Sequence, residues 1–290
     1  MKFIKSVFIL VILILSTGCS ITKYQKDGSV ANKEFHYKTG FTTLKSVIIL
    51  PVTVNGTTRN FLFDTGADLS LLQRDSIVGK TIKVNGASNR TIKTGKGYVK
   101  SIQIGDINFL NTYALNSDLK GLKEQITDFG GLIGQPIISK ANWLIDYPNK
   151  NIEISNTHLV DDSYQSIKIK REDGAPYIYL TINGKKHKAI IDLGSSSTFS
   201  IPKGSKLASE VLNAHNFEDN EREIYTLGGI QKIKEKVGVL PSIKIESIEF
   251  KNVKTDVKPT SQLRIGNNFF KDHIIYIDNI NGDYKVKKIQ

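Results

Sequence analysis

Two aspartates stand in matched settings 128 residues apart: Asp64 in Phe61-Leu62-Phe63-Asp64-Thr65-Gly66-Ala67-Asp68, and Asp192 in Ala189-Ile190-Ile191-Asp192-Leu193-Gly194-Ser195-Ser196. A carboxylate can take a proton from a reacting group, and a carboxylic acid can give one, so a repeated aspartate points first to acid–base chemistry. Other hydrolytic chemistries lack their residues. The chain has no His-Glu-x-x-His, no Gly-x-Ser-x-Gly, no phosphate-binding Gly-x-x-x-x-Gly-Lys-Ser/Thr and no cysteine pair. The five histidines, His36, His158, His187, His215 and His273, are scattered, and no metal or cofactor is expected.

The elements around the aspartates repeat as well. Asn55-Gly56 precedes Asp64 and Asn183-Gly184 precedes Asp192, and in each case the aspartate comes eight residues after the glycine. Asn-Gly between β-branched runs is a strong hairpin signal. Downstream, Leu132-Ile133-Gly134-Gln135 pairs with Arg264-Ile265-Gly266-Asn267, and each glycine is followed 12 residues later by an aspartate that ends an apolar run, Asp146 and Asp278. A period this long excludes a solenoid and predicts two homologous β lobes. Helical periodicity is confined to short stretches, Leu119 to Ile126 and Ser205 to Asn213. The expected fold is therefore mostly β and bilobal, with two closed barrel-like lobes and a cleft between them.

The predicted organisation is a signal at 1–18, a tether or edge segment at 19–44, a first lobe at 45–160 and a second lobe at 161–290. The paired Asp161 and Asp162 fall in the polar stretch between lobes, where a solvated loop is expected. Asp146 and Asp278, repeating at strand ends, are expected to cap turns.

The amino terminus has two lysines, an apolar run too short to span a bilayer, and Ser16-Thr17-Gly18 before Cys19. Cys19 is the only cysteine, so no internal disulfide is available. Its setting resembles the lipobox of bacterial lipoproteins, which implies an acylated Cys19 and a place on the cell envelope, facing the periplasm or exterior. The net charge of +12 is spread in short clusters such as Lys185-Lys186-His187-Lys188. Without a long basic run or interleaved aromatics, nucleic acid is not an expected partner; anionic surfaces are better candidates.

The apolar-apolar-Asp-Thr-Gly-Ala motif, its second copy and the later apolar-Ile-Gly elements resemble the aspartic peptidases of the retroviral and pepsin type, over most of residues 45–290. The resemblance implies a two-aspartate, water-activating site for an extended polypeptide substrate, with Asp64 and Asp192 catalytic and no metal. Each lobe supplies one carboxylate, so the chain is expected to act as a monomer. Gly66 and Gly194 suit the tight turn, and Thr65 is expected to reach the opposite lobe's backbone. Leu193, where the family has threonine, cannot return that contact. Ser195 is expected either to donate to a carboxylate, favouring Asp192 as the ionised partner, or to bond within its own turn. The resemblance also implies flaps, with Gly86, Ala87, Tyr225, Gly228 and Gly229 as substrate contacts or ordinary turns. Asp68 is expected to support the site. The alternative to an endopeptidase is a catalytically inactive peptide-binding or envelope-interaction lipoprotein of the same fold.

Overall fold

The computed structural model describes residues 21–85, 91–172, 174–226 and 229–289. Most of these lie in strands, arranged in three sheets of nine, six and eight strands.

Each half of the chain closes the same ring of six strands. In the first half, Val47–Val54 pairs with Thr57–Phe63, which runs parallel to Phe129–Ile133; that strand pairs with Ser70–Gln73, and the ring returns through Ile107–Ser117 and Thr91–Ile104 to Val47–Val54. In the second half Ala175–Ile182, Lys185–Ile191, Leu263–Ile265, Phe199–Pro202, Ile248–Lys258 and Gly229–Ile245 follow the same order with the same strand senses. Closing a ring leaves few unpaired strand edges, and it fixes where the end of each strand emerges.

Local chemistry explains the registers. The turns at Asn55-Gly56 and Asn183-Gly184 hold all four residues at positive φ, which suits the two-residue turn whose twist matches the flanking strands. They set Val54 opposite Thr57 and Ile182 opposite Lys185. Along each following strand the first residues are exposed and the last three are buried, so the aspartate comes just where the strand leaves the core.

The third sheet joins the halves. Asn142–Asp146 pairs antiparallel with His273–Asp278, with Trp143 opposite Ile277. As the repeated spacing predicts, Asp146 accepts from the backbone and side chain of Asn149, and Asp278 does the same with Asn281. One large core runs through all three sheets; in it Phe63 packs on Trp143 at 5.0 Å between ring centres, and the indole donates to the Ile138 carbonyl.

Residues 29–44, expected as tether or edge, lie on sheet edges: Ser29–Val30 borders the nine-stranded sheet and His36–Gly40 the six-stranded one. Before them, Tyr24 stacks on Tyr113 at 3.9 Å and Gln25 is buried, donating to the Asp68 carbonyl. Cys19 lies outside the described residues. Asp161 bonds only locally, to the backbone and hydroxyl of Ser163, in a strandless stretch between Ser155 and Gln165. The helix Lys206–Ala214 starts where expected, with Ser205 accepting from the Ala208 N–H.

Candidate active site

The two Asp-x-Gly turns are built alike. The Asp64 N–H donates to the Ile133 carbonyl at 3.1 Å, and the Asp192 N–H donates to the Ile265 carbonyl at 2.8 Å. Each carboxylate takes the N–H of its own turn: Gly66 donates to Asp64 Oδ1 and Gly194 to Asp192 Oδ1, both at 2.9 Å. Neither glycine has positive φ. The turn geometry therefore does not demand glycine, as the sequence had suggested. The opposite carboxylate does: a Cβ on Gly66 would lie 2.7 Å from Asp192 Cγ, and one on Gly194 would come closer still to the carboxyl of Asp64. Each carboxyl group thus sits over the glycine of the other turn.

Thr65 ties the turns together. Its hydroxyl is fully buried, donates to the Ile191 carbonyl and accepts from the Leu193 N–H, both at 2.9 Å. Leu193 has no hydroxyl to return the contact and instead packs, fully buried, in the main core. Below the turns are two supports that the sequence reading had matched by position without giving them a role. Gln135 donates to the Thr65 carbonyl at 2.7 Å, and Asn267 donates to the Leu193 carbonyl. Gln135 is held in turn by Arg171, and Asn267 by the Tyr147 hydroxyl.

The surroundings then diverge. Arg264 stands where the first half has Leu132, and its guanidinium Nη1 is paired with Asp192 Oδ2. The Arg264 side chain is 12 % exposed, and Asp192 as a whole is 5 % exposed. Burial works against the arginine's charge, and the carboxylate of Asp64 supports it. Asp64 is held above the ordinary carboxylate range by burial, a rise that the Gly66 N–H and the Arg264 charge only partly offset. Arg264 was missed in the sequence, where its only signal was a charge inside the apolar triplet Leu263-Arg264-Ile265. The Ser195 hydroxyl accepts from the Ser197 N–H at 3.4 Å, so its bond lies within its own turn.

The side-chain walls contrast in the same way. Beside Asp64 an apolar cluster gathers Leu71, Leu115, Leu122, Phe129 and Leu132, with Ala67 and Leu69 packed against it. At the same offset as Leu69, the second half has Ser197, which accepts from Lys258 Nζ at 2.6 Å; Lys258 also pairs with Asp256 at 3.1 Å. Nearby, Arg222 pairs with the buried Glu235 at 2.6 Å, and these two, with Asp256, border a cavity of about 990 Å³ along Ser196–Thr198.

Each half carries a hairpin between its aspartate and its later apolar-Ile-Gly element, Lys80–Asn85 with Thr91–Ile104 and Phe217–Thr226 with Gly229–Ile245. Gly86 and Ala87 lie outside the described residues, as does Gly228. The hairpin Phe217–Thr226 with Gly229–Ile245 crosses to the first half. There Tyr225 packs against the apolar cluster beneath Lys45 Nζ, 4.3 Å from its ring centre, and Gly229 abuts Gly121. In the reverse direction the Ser46 hydroxyl donates to the Ser196 carbonyl. Among the described residues, no cluster of three or more His, Cys, Asp and Glu is placed to hold a metal ion.

Residues 50–137 match the aspartyl protease family. The match runs from the strand before the first Asn-Gly hairpin, through Asp64, Thr65 and Gly66, to Gly134 and Gln135. Asp192 and Arg264 lie beyond it. No curated protein matches the chain.

Proposed function

We propose that this protein is an aspartic-type endopeptidase that hydrolyses peptide bonds through Asp64 and Asp192. The observation that carries the proposal is the reciprocal seating of each carboxyl group over the other turn's glycine, with Thr65 bonding across the join. Two carboxyl groups so close, one ionised and one protonated, can divide the work of hydrolysis. The ionised group takes a proton from a water as that water attacks the scissile carbonyl. The protonated group gives its proton to the carbonyl oxygen, and collapse of the tetrahedral species transfers a proton to the leaving amine. Asp64 is raised above the ordinary carboxylate range and Asp192 is paired with a guanidinium, so Asp64 is the proposed proton carrier and Asp192 the base. Supporting this arrangement are the aspartyl protease match across the first half and the repeat of its landmarks in the second. An extended polypeptide is the proposed substrate, with an apolar side chain favoured against the Leu69 wall and a polar one against the Ser197 wall. Both carboxylates come from one chain, so a monomer suffices.

The test is incubation of the folded protein with a diverse peptide pool across pH 3 to 8, reading new termini by mass spectrometry. Cleavage that disappears with a hydroxyl-bearing tetrahedral-mimic inhibitor supports the reading; no cleavage at any pH opposes it. A second reading, a peptide-binding protein of the same fold without turnover, has two observations in its favour: Leu193 in place of a returning hydroxyl, and a guanidinium on Asp192. Peptide binding that is unchanged by Asp64→Asn, with no product formed, would favour it. The reading of Cys19 as a lipid attachment site proposes an envelope-anchored enzyme, checked by fatty-acid labelling that Cys19→Ser should abolish.

A further inference from the structure

We infer that Arg264 is a positioning residue that breaks the symmetry of the two aspartates, holding Asp192 as the carboxylate and leaving Asp64 to carry the dyad's proton. The inference rests on the peptidase reading, but its physical content is a statement about two titrating groups and can be tested without catalysis.

The two turns are so alike that few features can distinguish their carboxyl groups. Each accepts one N–H from its own glycine at 2.9 Å, each aspartate N–H is bound to the strand beneath, and each lies over the opposite glycine. Within the turns, the Thr65 hydroxyl is taken by the Ile191 carbonyl and the Leu193 N–H, Leu193 packs in the core, and the Ser195 hydroxyl accepts from the Ser197 N–H. The difference that touches a carboxylate directly is Leu132 against Arg264, an apolar side chain replaced by a cation paired with Asp192.

The other charged and titratable groups on the surrounding elements have partners of their own. Lys45 lies over Tyr225, and Lys258 is taken by Ser197 and Asp256. Arg222 is taken by Glu235, and Arg171 by Gln135 and Asn279. Tyr147 bonds Asn267, and Asp68 belongs to the first turn itself.

A buried pair of aspartates sharing one proton carries a net charge of minus one, which burial penalises. Adding Arg264 makes the monoprotonated trio neutral, so the form needed for acid–base work is also the form that burial tolerates best. An opposite charge in contact with one carboxylate also fixes which of the two ionises first. Because Arg264 acts on the pair, both ionisation steps of the dyad respond to it. The sign follows: removing a positive charge makes each ionisation harder, so Arg264→Leu moves both steps, and both limbs of a pH–rate profile, to higher pH.

The experiment is a titration of ¹³C-labelled aspartate carboxyl groups in the full chain, assigned with Asp64→Asn and Asp192→Asn, together with kcat/KM against pH. In the wild type Asp192 should ionise first. Arg264→Leu, which installs the first half's own residue, should raise both steps by at least about one pH unit, and Arg264→Lys should raise them less. Unmoved steps in Arg264→Leu, or Asp64 ionising first in the wild type, would overturn the inference. So would activity that rises at every pH with unshifted limbs, which would make Arg264 a plug. If Arg264→Leu does not fold, the wild-type order and Arg264→Lys still decide it. If no variant cleaves any peptide, the peptidase reading fails and the carboxyl titration still answers for Arg264.

Discussion

The two halves close the same ring of strands and present the same aspartate turn, yet they surround it with opposite chemistry. The first half follows its turn with the apolar cluster of Leu69, Leu71 and Leu132; the second pairs Asp192 with Arg264 and, five residues on, Ser197 with Lys258. Backbone features that position the carboxyl groups are duplicated, whereas side chains that would touch a substrate or set charge are not. In a peptidase whose lobes are separate copies, both walls must be the same. Here one chain carries both, so each wall is free to specialise while the turn geometry stays fixed.

The largest effect short of removing a carboxylate is expected from the glycines. Gly194→Ala pushes a methyl into the carboxyl of Asp64, and Gly66→Ala pushes one against Asp192 at 2.7 Å, where the neighbour is already held by Arg264. Both variants should lose cleavage by at least about 100-fold, the scale of one acid–base group. Stability in urea should fall in both, more in Gly194→Ala. Equal tolerance of alanine at both sites would mean the turns do not interleave.

Next is Thr65→Val, which removes the hydroxyl shared by Ile191 and Leu193. Each buried backbone group left without a partner costs about 1–3 kcal/mol, so denaturant unfolding should show a loss in that range or above. Leu193→Thr, which restores the motif, sharpens the comparison. It should destabilise by about 1–2 kcal/mol, because each methylene equivalent removed from the core costs roughly 0.8 kcal/mol. A gain in stability would mean the missing hydroxyl outweighs the packing that Leu193 supplies.

The smallest effect concerns pH. Asp64 is raised in the folded state from an ordinary value of 3.8, so it binds its proton more tightly folded than unfolded. Its contribution to stability is fully present below that value and is lost as pH rises through the folded pKa. Asp64→Asn, which cannot ionise, should therefore gain stability relative to wild type as pH is raised from about 3.8, measured by denaturation at a series of pH values. A constant difference across pH would contradict the burial of that carboxyl group.

Much of this arrangement was legible in the sequence, because what repeats is backbone. Asn-Gly turns, the Asp-x-Gly motif and the apolar-Ile-Gly landmarks mark places where the chain must turn or approach itself closely, and few residue types satisfy such places. The burial of Gln135 and Asn267 was not legible, since an amide beside a glycine reads equally well as a surface residue. Arg264 was hidden because pattern reading treats a charge within an apolar triplet as the outward-facing member. Here the strand turns it inward, against the Asp192 carboxylate. The docking of Tyr24 on Tyr113 and of Gln25 on the Asp68 carbonyl and Lys140 rests on individual contacts, which leave no periodic trace.

The central claim, that Asp64 and Asp192 form one catalytic unit, is tested most directly by kcat/KM for Asp64→Asn, Asp192→Asn and the double variant on one cleaved peptide. Groups that act as a unit give strongly non-additive losses. Each single variant should lose at least about 100-fold, and the double variant should be no worse than either single one. Activity that persists in either single variant, or losses that multiply in the double one, would contradict it.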